Sequence, residues 1–408
     1  MTDDRLAHLL DVAPALWPAP HAVGVHRRSG DRTPGSVDEY LLLPSGRRPR
    51  LLVPHERRAA AAVVRHQGAD RGGAHRVASG LLACGLRAGL GRWWPDRLRV
   101  SRPAGAPSAT LPAHLAHVLG SDLVVAMRLT PPRANRKPVL QLLGPDGRTL
   151  GYAKLAVDAL TDALVEAETG ALRTLAARLP GIVEVPSVLH AGRWQDRALL
   201  VQSALPVESA RRPLTGRLLA RAVEEIAALG RVDDVELDAS PFWADLRGRI
   251  AGLPRGEAAD RLRGSVARLG AAAGDTRVSL GASHGDWTPW NTAALGDRVL
   301  VWDWERFRSA VPRGFDLLHH GFQHDVVAGT DDAAAAARRL VDGAATRLAP
   351  LGHSGRTAPV TVSLYLADLG VRYLADRQLE AGARLGDVTT YLLPALDRAI
   401  GHLEGNPR

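Results

Sequence analysis

The segment SHGDWTPWN, Ser283 to Asn291, decides the fold assignment because it fixes an acid and an amide in a stiff stretch of chain. Asp286 follows His284 by two residues, and Asn291 follows Asp286 by five. A second acid, Asp303, comes directly after the apolar run VLVW. An acid, an amide and a second acid in this order are typical of phosphoryl transfer, which depends on alignment and charge neutralisation. The pattern therefore predicts a site that handles phosphate and a hard metal ion.

The same region contains a competing motif. The sequence GASHG, Gly281 to Gly285, fits G-x-S-x-G, the nucleophile elbow of hydrolases. An elbow serine begins a helix, yet Pro289 lies six residues after Ser283, where it would interrupt the second turn. The sequence also shows strands first and helices later, without the alternation expected of a doubly wound sheet. These observations favour phosphate chemistry over acyl transfer.

The composition is that of a globular protein. A chain of 408 residues is expected to form two or three domains. The single cysteine, Cys84, excludes a disulfide framework and a cysteine-based zinc site, as expected in a reducing compartment. The sequence shows neither a signal peptide nor an apolar run of about 18 residues. We therefore expect a soluble, cytoplasmic protein without membrane contact, and the sequence makes no prediction of its oligomeric state.

The positive charge is concentrated near the start of the chain. Residues 1–115 carry 17 arginines against 9 aspartates and glutamates. These arginines are scattered and lack interleaved aromatic residues, so the pattern does not favour nucleic-acid binding.

Two residue types are rare enough to mark candidate positions. Of the 52 lysines and arginines, only Lys137 and Lys154 are lysine, and the asparagines are Asn135, Asn291 and Asn406. A lysine ammonium is a compact point charge, whereas the guanidinium of arginine is wide and flat. A lysine retained in so arginine-rich a chain indicates a position where arginine is no substitute.

The order of the patterns predicts an α+β protein. Alternating strands run from Asp122 to Lys154 and again from about residue 185 to 206, and amphipathic helices follow. We expect residues 1–115 to be a basic N-terminal extension of unclear role, 116–206 a nucleotide-binding lobe and 207–408 a helical catalytic lobe.

One carboxylate is predicted to be buried. In the helix predicted from Thr161 to Leu179, Glu168 falls in the middle of the apolar stripe and Glu166 on the opposite side. A buried carboxylate needs a cationic or hydrogen-bonding partner. The nearest candidate along the chain is Lys154, on the preceding strand.

HGDWTPWN and VWDWERF together resemble the catalytic loop and the metal-binding segment of the aminoglycoside phosphotransferase and choline kinase family. These are small-molecule kinases with a protein-kinase-like fold, and the resemblance covers about residues 122–390. It implies two lobes, an antiparallel-sheet N-lobe and a mainly helical C-lobe. The first hundred residues lie outside it.

The resemblance also implies residue roles. Asp286 would act as the catalytic base, and Asn291 and Asp303 would bind Mg²⁺. Glu305 would be a further metal or supporting group. Lys154 would contact the nucleotide phosphates.

The remaining implied roles concern support and nucleotide binding. Glu168 would position Lys154, and Asp316 would brace the catalytic loop. The backbone of Ser203 to Leu205 would meet the adenine. His284 is expected to give structural support, and the pair His319 and His320 is expected on a helix surface.

One departure from the family concerns the loop that would cover the phosphates. It reads TPPRANRK and contains no glycine. Arg133, Asn135, Arg136 and Lys137 could bind phosphates through their side chains instead; otherwise the loop would be unable to close over a nucleotide.

The predicted function is transfer of the γ-phosphate of ATP, with Mg²⁺, to a hydroxyl of a small molecule that is sugar-like, aminoglycoside-like or an amino alcohol. The alternative is an inactive pseudokinase that binds nucleotide as a scaffold, with the basic N-terminal residues as its docking surface. A polycationic aminoglycoside would need carboxylates near Asp286. The sequence offers Glu305, Asp325, Asp331 and Asp332 but does not place them.

Overall fold

The computed structural model describes residues 5–27, 36–46, 48–69, 73–103, 105, 109–131, 133–178, 181–207, 214, 216–328 and 332–405. The chain forms two compact units: the first comprises Met1–Thr169 and Pro186–Glu208, and the second Gly170–Val185 and Ser209–Arg408. The first unit is built on an antiparallel sheet and the second is mainly helical, which confirms the α+β class. Within the described ranges, no helix is both long enough and apolar enough to cross a membrane.

The elements are numbered along the described chain. The strands are β1 (Ala22–His26), β2 (Ser36–Leu43), β3 (Leu51–Pro54), β4 (Arg97–Ser101), β5 (Val124–Arg128), β6 (Val139–Leu143), β7 (Thr149–Leu155), β8 (Val183–Glu184), β9 (Val188–Trp194), β10 (Arg197–Ser203), β11 (Val232–Glu236), β12 (Arg277–Ser283), β13 (Thr292–Leu295), β14 (Arg298–Val301) and β15 (Arg308–Pro312). The α-helices are α1 (Arg5–Leu16), α2 (Arg57–Ala69), α3 (Gly73–Arg87), α4 (Leu111–Leu119), α5 (Ala159–Ala176), α6 (Gly216–Ala227), α7 (Pro241–Ala251), α8 (Glu257–Ala273), α9 (Phe315–Ala328), α10 (Ala333–Asp342), α11 (Ala344–Leu348), α12 (Thr357–Ala375) and α13 (Leu392–Glu404).

The sheet of the first unit runs in the order β1-β4-β2-β3-β5-β6-β7-β10-β9. Strand β3 pairs antiparallel with β5, so strands from residues 1–115 and strands from residues 116–206 share one sheet. The predicted meander is present as β5, β6 and β7, and the predicted later strand pair as β9 and β10.

Both faces of this sheet are covered. Along β2, Tyr40 and Leu42 join the apolar cluster that contains Trp17, while Leu41 and Leu43 join the cluster under α2 and α3. This alternation follows from the two-residue period of a strand. The described part of the N-terminal segment therefore contributes core as well as strands to the first unit.

The second unit has one large helical core, to which α7 to α13 contribute. Two short sheets, β11-β12-β15 and β13-β14-β8, accompany the helices. The predicted amphipathic helices include α12 and α13, and residues 376–391 between these two are not α-helical. Strand β12 leads directly into the SHGDWTPWN segment. The sheet β11-β12-β15 therefore anchors the start of the segment that the sequence analysis identified as a candidate site.

A charge cluster fastens α12 to its neighbours. Asp368 on α12 binds Arg249 of α7 at 2.5 Å and Arg308 of β15 at 2.6 Å. Burial by itself would raise the pKa of Asp368, but these two guanidinium groups hold the pKa below its usual value. One buried carboxylate therefore forms ion pairs with two arginines.

We predict that Asp368→Ala destabilises the second unit by about 1–3 kcal/mol, because two partly buried arginines lose their common partner. The free energy of unfolding in urea measures this. Asp245→Ala is the matched control, since Asp245 contacts the same two arginines but its side chain is 54% exposed. The control should cost less than about 1 kcal/mol. An equal cost for the two variants would contradict the assignment.

Candidate active site

In the first unit, the predicted pair of Lys154 and Glu168 is present. The Lys154 Nζ donates to both carboxylate oxygens of Glu168, at 2.6 and 2.7 Å. Lys154 is 4% exposed and Glu168 is fully buried. Glu166 lies on the outer face of α5, where it pairs with Arg193 at 3.0 Å. The helical period therefore placed both glutamates correctly.

Helix α5 presents Glu168 because both its start and its apolar face are well defined. The backbone N–H of Thr161 donates to the Asp158 carboxylate at 2.8 Å, which caps the first turn. Leu164, Leu172 and Leu175 then form the buried stripe around Glu168. The cap and the apolar stripe therefore fix the position of the Glu168 carboxylate relative to Lys154 on strand β7.

The glycine-free loop between β5 and β6 contains a tight turn at residues 133–136. The backbone N–H of Arg136 donates to the Arg133 carbonyl at 3.2 Å. Arg133 is exposed, Asn135 is half-buried and Lys137 is 8% exposed. Burial and the nearby Arg136 guanidinium lower the pKa of His8 on α1 to about 4, which places the Arg136 charge close to α1. Arg133 and Asn135 are the candidate phosphate ligands of this loop that have solvent access.

The segment after β10 is the predicted adenine contact. The backbone N–H of Ser203 donates to the Ser187 carbonyl at 2.9 Å, and the Leu205 carbonyl accepts from the N–H of Val207 at 2.8 Å. Both Ser203 and Leu205 are half-buried. Since these two backbone groups already have partners, adenine recognition here would use the other groups of the segment.

In the second unit, Asp316 organises the start of the SHGDWTPWN segment. One carboxylate oxygen accepts from the Ser283 hydroxyl at 2.9 Å and from the Gly285 N–H at 3.0 Å. The other oxygen accepts from the His284 N–H at 2.8 Å. Asp316 is 3% exposed, so these bonds replace its hydration. The predicted bracing role of Asp316 is confirmed.

His284 links the SHGDWTPWN segment to Trp302, which directly precedes Asp303. Its Nδ1 accepts from the Asp286 N–H at 3.1 Å, and its Nε2 lies 3.1 Å from the Trp302 carbonyl. These partners require the proton to be on Nε2. Trp287 is fully buried and packs its ring against His284, whereas Trp290 is 45% exposed. The supporting role of His284 is confirmed, and Trp287 rather than Trp290 supplies the packing.

The carboxylate of Asp286 is held from two sides. Asn291 Nδ2 donates to Asp286 Oδ2 at 3.1 Å, and His319 Nε2 lies 3.1 Å from Oδ1. Arg372 approaches the same Oδ1 at 3.8 Å. Burial would raise the pKa of Asp286, but the hydrogen bond from His319 and the charge of Arg372 outweigh burial and hold the pKa well below its usual range. Asp286 is therefore an ionised hydrogen-bond acceptor at neutral pH.

The residues that could bind a metal follow from the same contacts. With its Nδ2 directed at Asp286, Asn291 presents its amide oxygen as the remaining side-chain acceptor. The Trp302 N–H donates to the backbone carbonyl of Asn291 at 3.1 Å. Asp303 is the next residue after Trp302, so this bond fixes its backbone near Asn291. Asp303 has a φ of 71°, a left-handed conformation that is uncommon outside glycine and is enriched at functional sites. Amide and carboxylate oxygens suit Mg²⁺, so the donor set of Asn291 and Asp303 fits that ion. Glu305, 5% exposed, lies two residues further along.

Three residues around Asp286 were not assigned a role from the sequence. The expectation that His319 lies on a helix surface is wrong, since it is 2% exposed and contacts Asp286. Its Nδ1 lies 2.9 Å from the Tyr365 hydroxyl, and Arg372 donates to the Gly285 carbonyl at 2.6 Å. The helical period contained the signal for His319, because Phe315 and Phe322 on the same helix are buried at offsets of four and three residues.

Comparisons with known proteins give a structural likeness. No protein-family model matches this chain, and no curated protein was found to match it. The chain is similar to the solved structure of a thermostable mutant of aminoglycoside phosphotransferase APH(4)-Ia in ternary complex with ADP and hygromycin B, at 14% identity and a TM-score of 0.47, over 72% of this chain and 98% of that chain.

Two further kinases show the same likeness. Amicoumacin kinase hAmiN, in complex with AMP-PNP, Ca²⁺ and Ami, is 12% identical with a TM-score of 0.40, over 67% of this chain and 86% of that chain. Choline kinase LicA from Streptococcus pneumoniae is 15% identical with a TM-score of 0.40, over 66% and 90%. In each case the likeness is one of fold. At such TM-scores the likeness is loose, and the chemistry of this chain rests on its own residues.

We predict that Gly285→Ala lowers the free energy of unfolding by more than the cost of placing alanine in a left-handed backbone conformation. Gly285 has a φ of 77°, and an added Cβ would lie 2.4 Å from the Arg306 carbonyl oxygen. Gly296 has a φ of 64° but nothing within 4 Å of an added Cβ, so Gly296→Ala is the control. The control should cost about 1–2 kcal/mol of unfolding free energy, and Gly285→Ala a further 1–3 kcal/mol or so from the overlap. Equal losses in urea denaturation would rule out the close approach.

Proposed function

We propose that this protein is an ATP-dependent phosphotransferase that moves the γ-phosphate to a hydroxyl of a small molecule. The observation that carries the proposal is the held carboxylate of Asp286, which accepts from Asn291 at 3.1 Å while the backbone beside Asp303 is tied to the same loop. An oriented acceptor next to a hard-oxygen donor set is what phosphoryl transfer to an alcohol requires.

In the proposed step, Asp286 accepts a hydrogen bond from the acceptor hydroxyl and aligns its oxygen with the γ-phosphorus. A bond forms between the hydroxyl oxygen and phosphorus, the bond from phosphorus to the ADP oxygen breaks, and the hydroxyl proton passes to Asp286. Because the pKa of Asp286 is held low, its contribution before transfer is orientation, and it takes the proton late.

The second unit also supplies the proposed metal ligands. Asn291 and Asp303 would hold Mg²⁺, with Glu305 as a supporting carboxylate. When bound, the ion neutralises negative charge on the phosphates. Asn291 contributes beyond ligation, because its amide nitrogen fixes Asp286 at the same time.

The first unit supplies the proposed nucleotide contacts. Lys154 would neutralise phosphate charge, with Glu168 keeping its ammonium in place. The segment from Ser203 to Leu205 would meet the adenine. Arg133, Asn135 and Lys137 would replace the backbone of a glycine-rich loop, and Lys137 would have to turn outward to do so, since it is 8% exposed.

The charges in the second unit argue against a polycationic acceptor. Asp325 is engaged by Arg347 at 2.7 Å, and Asp332 caps α10 by accepting from the Ala334 N–H at 2.9 Å. Asp331 lies outside the described residues. Arg372, in turn, places a positive charge beside Asp286. We therefore favour a neutral or weakly charged hydroxyl compound, such as a sugar-like molecule, over an aminoglycoside.

We predict that MgATP raises the melting temperature of the wild-type protein and is slowly hydrolysed, with water as the acceptor. Asp286→Asn should keep the thermal shift and lower turnover about 10²- to 10⁴-fold, since the oriented acceptor is lost. Phosphate release and thermal unfolding measure the two effects. Asp297→Asn, at an exposed turn of the same unit, is the control and should hydrolyse ATP like wild type.

A thermal shift without turnover, across a broad panel of hydroxyl compounds, would instead indicate a nucleotide-binding scaffold. Neither a shift nor turnover would contradict both functions. Turnover that survives Asp286→Asn would show that Asp286 is not the acceptor-orienting residue.

We predict that Lys154→Arg lowers kcat/KM for ATP at least about tenfold although the charge is kept, because a flat guanidinium does not fit the enclosed space at Glu168. Glu168→Gln should have a comparable effect, since it leaves the buried ammonium without its counter-charge. Steady-state ATP hydrolysis measures both variants, and circular dichroism checks that they fold. Full activity of Lys154→Arg would refute the geometric requirement for lysine.

A further inference from the structure

A buried hydrogen-bonded chain runs from α12 through α9 to the catalytic loop. The Tyr365 hydroxyl lies 2.9 Å from His319 Nδ1, and His319 Nε2 lies 3.1 Å from Asp286 Oδ1. Tyr365 is 4% exposed and His319 is 2% exposed. Their rings meet edge to face, with centroids 6.0 Å apart and an interplanar angle of 70°. Packing therefore holds the two rings as well as the hydrogen bonds.

The partners define where the protons are. An ionised carboxylate accepts hydrogen bonds and donates none, so the proton between His319 and Asp286 belongs to Nε2. Burial lowers the pKa of His319 against the pull of the Asp286 carboxylate, which leaves the imidazole neutral at pH 7. A neutral imidazole with Nε2–H has an acceptor at Nδ1, and the Tyr365 hydroxyl is placed to donate to it.

We propose that His319 is a positioning residue for Asp286, and that Tyr365 holds its imidazole ring in place through the hydrogen bond to Nδ1. The inference rests on the proposed phosphotransferase function. It assigns Tyr365 a purpose that phenylalanine would not serve, because the hydroxyl gives the buried Nδ1 a donor and fixes the orientation of the ring that directs Nε2–H at Asp286.

The arrangement also accounts for how Asp286 is oriented toward an acceptor. His319 occupies one lone-pair direction of Oδ1, and Asn291 occupies one of Oδ2. Arg372 stands 3.8 Å from Oδ1, beyond hydrogen-bond distance, and adds charge rather than a fixed direction. Two donors on opposite oxygens prevent rotation about χ2, and the Asp286 side chain, 31% exposed, keeps an accessible acceptor for a hydroxyl.

The first test is spectroscopic and needs no substrate. In long-range proton–nitrogen correlation spectra of protein labelled in histidine, His319 is assigned from the signals that vanish in His319→Gln. Its Nε2 should have the chemical shift of a protonated ring nitrogen and its Nδ1 that of an unprotonated one at pH 7. In Tyr365→Phe the proton should stay on Nε2, but the Nδ1 signal should shift because Nδ1 loses its hydrogen-bond donor; an unchanged Nδ1 shift would contradict the role of Tyr365. A wild-type His319 that is protonated at Nδ1, alone or together with Nε2, would overturn the inference.

The second test uses MgATP hydrolysis. His319→Leu removes the donor at similar volume and should lower kcat about ten- to hundredfold with little change in KM for ATP. His319→Gln keeps an N–H donor of similar reach and should restore most of the rate. His320→Leu, at the adjacent histidine, is the matched control and should behave like wild type.

The outcomes separate this inference from the proposed function. Turnover by His319→Leu at the wild-type rate, or equal losses in His319→Leu and His319→Gln, would refute the positioning role. Absence of turnover in the wild-type protein would instead refute the phosphotransferase function. In that case the nitrogen spectra still decide whether Tyr365 and His319 hold Asp286 in the stated geometry.

Discussion

The backbone that leads into Asp286 depends on the carboxylate of Asp316. This group, 3% exposed, accepts from the Ser283 hydroxyl and from the N–H groups of His284 and Gly285, at 2.8–3.0 Å. Hydrogen bonds to a charged group contribute about 1.5–3 kcal/mol each. They order three consecutive residues immediately before Asp286, where the chain leaves strand β12. The direction in which Asp286 leaves the loop follows from this constraint, and so do its contacts with Asn291 and His319.

Helices α9 and α12 supply several of the residues around Asp286, because side chains three, four or seven positions apart lie on the same face of a helix. Helix α9 contributes Asp316 and His319, which are three residues apart and lie on one face. Helix α12 contributes Tyr365 and Arg372, which are seven residues apart. Within the second unit, Asp316, His319 and Arg372 are therefore carried by two helices of the common core. A rigid scaffold of this kind suits a reaction in which alignment matters more than covalent chemistry.

In the first unit, the position of Lys154 likewise depends on a buried carboxylate, that of Glu168. Taking the Lys154 ammonium and the Glu168 carboxylate out of water is costly, and a pair so placed is weak evidence for added stability. Its geometry, with one ammonium donating to both carboxylate oxygens, favours specific placement of a positive charge instead. The sheet that carries Lys154 is extended by β1 to β4, so the described N-terminal strands take part in the structure that holds this pair.

Local rules determined much of this protein from sequence alone. Period-two alternation predicted the strands around Lys154, and the helical period buried Glu168 and exposed Glu166, because each of these features acts over a few residues or turns. The five-residue step from Asp286 to Asn291 is likewise local, and the two side chains meet at 3.1 Å. Tertiary structure alone decided the partners that come from distant segments: Tyr365 and Arg372 lie 79 and 86 residues beyond Asp286, and no local period relates them to it. The pairing of β3 with β5 was settled in the same way, since which elements meet depends on the packing of the whole unit. For His319 the helical period indicates the buried face, but only the neighbouring helix supplies the Tyr365 hydroxyl at Nδ1, and only the folded loop places the Asp286 carboxylate at Nε2.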